Sequence, residues 1–137
     1  MRKIKFRAKV KMPEKRNFAR QEYVPEGQWV YGEPHTIDCP TPHIHTADVG
    51  KQPIDEDTIG QFTGVTGGDG REIYEDDIVA IYHEKHCTFK GKVEFLCGEF
   101  VVNSKDKLIT ALRRKPWQVI GNIHDNPELL KGGEKCQ

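Results

Sequence analysis

Histidine and cysteine are the side chains here with the widest chemical reach, and several of them sit close together. His83, His86, Cys87 and Cys97 fall within one short window, while Cys39, His43 and His45 make a second, looser group. Imidazole and thiolate both bind zinc, but a zinc site needs four such groups converging in a tetrahedron. Neither group contains the paired CxxC knuckles that make such convergence legible in a sequence. They are therefore metal candidates by residue type and not by spacing, and no cofactor is expected. A nucleophilic Cys87 or Cys97 would need a neighbouring cation or helix N-terminus to hold its thiolate. His86 adjoins Cys87, yet neighbours on a strand point to opposite faces. With no CxxC pair and no apolar leader, the four cysteines read as reduced thiols.

Carboxylates give a second candidate. Glu72, Glu75, Asp76 and Asp77 are close enough to bind a divalent ion or to raise one another's pKa. Their spacing is not that of an EF-hand loop, and a solvated turn between apolar Ile73 and Ile78 accounts for the same residues. The glycines Gly64, Gly67, Gly68 and Gly70 lack the GxxxxGK[ST] order of a phosphate loop. Nucleophile, base and electrophilic stabiliser never come together, so no enzyme is expected.

Cations give the third candidate. Lys3, Lys5, Arg7, Lys9 and Lys11 alternate with Ile4, Phe6, Ala8 and Val10. That two-residue repeat predicts a strand with one buried face and a ladder of cations repeating every ~6.8 Å on the other. Arg113 and Arg114, followed by Lys115, form a second basic cluster, and Phe18, Trp29 and Trp117 offer stacking surfaces. Nucleic acid or an acidic protein partner would suit such a surface. An ordinary solvated sheet face would produce the same alternation.

The elements that must position these groups are mostly strands. After the strand ending before Met12-Pro13, residues 13–27 read as a loop, and Gln28 to Tyr31 as a second strand. Pro34, Pro40, Pro42 and Pro53 break every window from Gly32 to Pro53, which predicts an irregular crossing segment, with at most a short edge strand around Ile44 to Val49. Ile78 to Tyr82 is apolar on both alternating faces, as in a central strand. Lys90 to Leu96 and Glu99 to Asn103 flank Cys97-Gly98, a tight hairpin turn. Leu108 to Arg114 suggests a helical turn, Trp117 to Ile123 a last strand, and Asn126 to Leu130 a capped turn with proline first.

Length and composition bound the rest. At 137 residues, 36% hydrophobic and 31% charged, the chain predicts one compact domain with a small core. Its net charge is zero but segregated: nine basic residues and one acid run from Arg2 to Arg20, and nine acids oppose Lys51 and Arg71 between Asp48 and Asp77. Zero net charge disfavours nonspecific coating of nucleic acid. No apolar run approaches a membrane span of about 20 residues, so a cytoplasmic location is expected. The expected organisation is an N-terminal strand arm and irregular segment over 1–56, a small strongly bent barrel over 57–130, and a disordered tail over 131–137.

Three segments carry a resemblance. They are Arg2-Lys3-Ile4-Lys5-Phe6-Arg7-Ala8, then Gln61-Phe62-Thr63-Gly64 with Gly70-Arg71-Glu72-Ile73-Tyr74-Glu75-Asp76-Asp77-Ile78-Val79, and finally Val119-Ile120-Gly121-Asn122-Ile123-His124-Asp125-Asn126-Pro127-Glu128-Leu129-Leu130. In this order they resemble the YopX family of phage- and prophage-encoded proteins. The resemblance implies a mainly β fold with an SH3-like barrel in the C-terminal part, and it imports no reaction or catalytic residue. The family usually carries glycine where this chain has Asp76. The expected function is an accessory interaction or self-associating module, with nucleic-acid binding through the basic strand as the alternative.

Overall fold

Backbone alternation dominates the computed structural model, which describes residues 3–12, 24–37, 41–104, 109–113 and 116–130. The fold is mainly β, every strand pairing is antiparallel, and the contacts divide the chain into a unit spanning Lys3–Gln61 and another from Phe62 onward.

In the N-terminal unit, β1 (Phe6–Lys9), β2 (Trp29–His35), β3 (His43–Thr46) and β4 (Gly50–Pro53) lie in the order β4-β3-β2-β1. The free side of β1 takes the start of β5 (Gly60–Thr66), with Phe6 opposite Gln61 and Arg7 opposite Gly60. The alternation in β1 buries Ala8, and Val10 follows it into a core with Val30, Ile44 and Ile54; Phe6, Met12, Val24 and Ile59 pack against its rim. A 3-10 turn at Glu56–Thr58 is held to β1 by Thr58, whose hydroxyl accepts from Lys9 N at 2.8 Å and donates to Asp55 O at 2.7 Å.

This corrects the expectation of an irregular segment over 32–53. Pro34 is accommodated within β2, and Pro53 closes β4 at the edge of the sheet, where a missing N–H does least harm. Gln52 supplies the missing order from its side chain: fully buried, it accepts from Val24 N at 3.0 Å and donates to Val49 O at 3.0 Å.

In the C-terminal unit, the remainder of β5 pairs with β6 (Glu72–Tyr74), Phe62 opposite Tyr74. Then β7 (Asp77–His83), β8 (His86–Leu96), β9 (Glu99–Asn103), β10 (Ile109–Ala111) and β11 (Gln118–Asn122) form a sheet in the order β10-β9-β8-β7-β11. The strand expected to be central is central: β7 lies between β8 and β11, with Ile78, Val79 and Ala80 fully buried. Cys97 and Gly98 make the expected hairpin turn, both at positive φ (51° and 83°), as a type I′ turn requires. Two expectations are corrected. Residues 109–111 form an edge strand in place of the predicted helical turn, and the sheet ends at β10 and β11 instead of closing into a barrel.

The core here joins Ile73, Val79, Val93, Val102, Leu112, Trp117 and Val119. The glycine-rich turn exists to let backbone touch backbone: Gly68 N donates to Trp117 O at 2.8 Å, and a Cβ on Gly67 would stand 2.5 Å from the same oxygen. The expected capped turn at the end is a 3-10 turn, Pro127–Leu130. The tail beyond residue 130 lies outside the described residues. Among the described residues, no helix is long and apolar enough to cross a membrane.

Candidate functional site

Residues directly opposite one another on paired strands share a face, so the register alone assembles the outer surface of the N-terminal sheet. Arg7 faces Tyr31 and Lys9 faces Trp29; Glu33 faces His45 and His35 faces His43; His45 then faces Lys51. Cations and aromatic rings occupy the β1–β2 side of this surface, and three imidazoles occupy the β2–β3 side.

The cations are not the open ladder expected from the sequence. Lys3 and Lys11 are exposed and Lys5 and Lys9 half-buried, but Arg7 retains only 7% exposure. Its guanidinium stacks 4.4 Å from the centre of the Trp29 ring, with the Lys9 ammonium 5.5 Å from the same centre. Because β1 is an interior strand, flanked by β2 and β5, its outward side chains have neighbours on both sides. Beside this array opens a cleft of about 850 Å³ whose walls include Ile4, Lys5, Trp29, Tyr31, His45 and Val49. Of the other basic candidates, Arg113 is exposed and Arg114 lies outside the described residues, as does Phe18. Trp117 is completely buried and offers no stacking surface.

The imidazoles of His35, His43 and His45 converge. His35 and His43 stack with ring centres 5.1 Å apart and planes 2° from parallel, and His45 tilts towards both at 4.6 and 5.1 Å. One ring nitrogen from each lies within 4.8 Å of the other two. His43 is buried and donates from Nδ1 to the Thr41 carbonyl at 3.1 Å, since a carbonyl can only accept. Desolvation holds its pKa below the ordinary imidazole value; the Thr41 bond opposes this, and Lys51, His45 and His35 reinforce it. This favours the neutral ring, which donates from Nδ1 and carries its lone pair on Nε2.

The sequence missed this trio because His35 is eight residues from His43 and only the β2–β3 register joins them. The H-x-H spacing at 43 and 45, on a strand, was the available signal. Cys39 lies outside the described residues. The other proposed metal group does not assemble. His83 and His86 face each other at one end of the β7–β8 hairpin, whereas Cys97 lies beyond the far end of β8, on the order of 30 Å away by strand rise. Cys87 is disulfide-bonded, which corrects the reading of a reduced thiol there, and Cys97 is free and exposed.

Three of the four carboxylates are likewise dispersed into structural duties. Asp77, 1% exposed, accepts from Tyr74 N at 2.8 Å and closes the turn between β6 and β7. Glu72 accepts from the Tyr74 hydroxyl at 3.4 Å. Asp76 meets His124 Nε2 at 3.2 Å and Lys92 at 3.8 Å, while its backbone donates to Val93 O and accepts from Ile123 N, both at 2.9 Å. The turn after β11 is tied by Asn122, whose side-chain oxygen accepts from His124 N at 3.0 Å and Asp125 N at 2.9 Å.

Asp76 adopts φ 70°, a conformation that favours glycine. Asp76→Gly is expected to change stability by no more than about 1 kcal/mol, because relief of the left-handed backbone offsets the loss of partly exposed ionic contacts. Chemical denaturation of the two proteins measures this; a loss of several kcal/mol would mean that the Asp76–His124 contact holds the corner together.

The protein is mainly β, and one face of its N-terminal sheet carries cations and aromatic rings. The chain matches the YopX protein family over residues 5–131 and belongs to it. No curated protein matches the chain.

Proposed function

We propose that the protein is a non-catalytic phage or prophage accessory protein that associates with itself or another protein through the cleft on its N-terminal unit. The observation that carries this reading is the grouping of Ile4, 62% exposed, with Tyr31 and Val49, each 46% exposed, around that cleft. Large apolar side chains scattered singly need no explanation, but several sharing one concavity mark contact surfaces. Lys5 in its wall favours an acidic partner surface. A second copy offers exposed carboxylates at Asp48, Glu56, Asp57 and Asp69. Kinship of the C-terminal five-stranded sheet with SH3-like modules, which work by binding, belongs to the same proposal.

Sedimentation equilibrium over a concentration series tests it. The expected result is reversible association that weakens at least tenfold in the Tyr31→Asp/Val49→Asp protein and at high salt. A chain that stays monomeric at high micromolar concentration and low salt would remove self-association.

Nucleic acid is the second reading, favoured by the cations of Arg7 and Lys9 lying against the Trp29 ring. Fluorescence anisotropy with mixed-sequence single-stranded DNA and RNA across a salt series would give a steep salt slope, reduced in Lys5→Gln/Lys9→Gln. Absence of binding at low salt rejects it.

A further inference from the structure

We propose that His35, His43 and His45, brought together across the β2–β3 pairing, form a binding site for a divalent transition-metal ion of the zinc type. The site requires nothing of what the neighbouring cleft binds.

Three imidazole nitrogens gathered on one sheet face are a donor set that suits zinc, copper or nickel and not calcium or magnesium, which take oxygen ligands. The ligand nitrogens lie within 4.8 Å of one another. A tetrahedral ion with bonds of about 2.0 Å needs them about 3.3 Å apart, so the rings must close by roughly 1.5 Å. His35 and His45 are exposed and can make that movement by side-chain rotation. His43 is the anchored member. Its Nδ1–H bond to the Thr41 carbonyl fixes the ring and directs Nε2 as ligand, the outer-shell arrangement that metal-binding histidines commonly use.

The backbone supports the geometry as well. His43 and His45 project from one face because they are two apart on β3, and His35 joins them as the partner of His43. Two residues of opposite charge flank His45 on the same face, Glu33 from β2 and Lys51 from β4. The Glu33 charge favours a cation near His45 and the Lys51 charge opposes one, so their effects on affinity run in opposite directions. Stacked imidazoles standing beside a lysine repel one another when protonated, so the cluster as built favours a bound cation only when the rings are neutral.

The test is titration of the untagged, chelator-treated full chain with Zn2+ against a competing chromophoric chelator, with imidazole proton NMR alongside. One ion per chain at micromolar affinity or tighter is expected, with the ring signals of His35, His43 and His45 shifting together. His35→Ala/His45→Ala, at two exposed positions that leave the core untouched, is expected to lose at least tenfold in affinity. His83→Ala/His86→Ala is expected to bind as the parent does. The proposal is overturned by absence of stoichiometric binding, by binding that survives the first double substitution, or by shifts confined to His83, His86 or His124. His43→Gln, checked for folding by circular dichroism, provides the third arm: unaltered affinity in the folded variant also overturns the site.

Discussion

Trp117→Ala is expected to destabilise the C-terminal unit by about 3–5 kcal/mol, the usual cost of emptying a buried aromatic position. The ring is fully buried, packs edge-on against Phe89 with centroids 5.9 Å apart, and belongs to the buried cluster with Ile73, Val79, Val93, Val102, Leu112 and Val119. Its Nε1 donates to Arg113 O at 3.0 Å, so truncation also leaves that carbonyl without its donor. The total stability of a small protein is roughly 5–15 kcal/mol, which makes this a large fraction. Guanidinium denaturation gives the number directly, and Trp117→Phe, which keeps most of the volume but loses the N–H, should fall between parent and alanine. A loss below about 1 kcal/mol for Trp117→Ala would mean that the core closes over the void, contrary to the packing described.

Gly32→Ala is the second large effect, and it acts by intrusion. A Cβ at Gly32 would overlap the backbone carbonyl of His45 and stand 3.3 Å from Thr46 Cα. Backbone in a paired strand cannot swing aside as the tip of a flexible side chain can, so β2 and β3 must separate. The expected loss is about 3 kcal/mol or more, at the severe end for a single methyl group. Hydrogen exchange separates this mechanism from a general weakening: amide protection should fall first in His43–Thr46. Retained protection there, with stability unchanged, would show that the strands need no such close approach. Because Glu33 and His45 are partners, the same substitution is expected to scatter the three imidazoles and, with them, any zinc affinity.

Much of the C-terminal unit is legible in the amino-acid sequence alone, and for physical reasons. Ile78 to Tyr82 carries apolar residues on both faces, which only an interior strand tolerates, and Cys97-Gly98 has the length of a hairpin turn. The N-terminal half is harder to read. Prolines at 34, 42 and 53 suggest disruption, but they occupy positions where two short strands begin or end, or where a pairing can do without a donor. The missing information is register, which a sequence carries only weakly when strands are four residues long. The same gap conceals the imidazole trio. The basic alternation in β1 reads correctly as a strand, yet its position inside the sheet, which buries Arg7 against Trp29, depends on partners too distant in sequence to infer. Short strands and tight turns suggest closure into a barrel; they permit it without requiring it.

The two tryptophans of the chain fall one in each unit, Trp29 in the first and Trp117 in the second. Their surroundings differ as much as protein interiors allow, a half-covered indole against two cations and a sealed indole in an apolar core. The molecule thus carries its own pair of optical reporters. Iodide, drawn by the neighbouring charges, should quench the emission of Trp29 and leave that of Trp117 untouched, so that the melting of either half can be watched separately in the unlabelled protein.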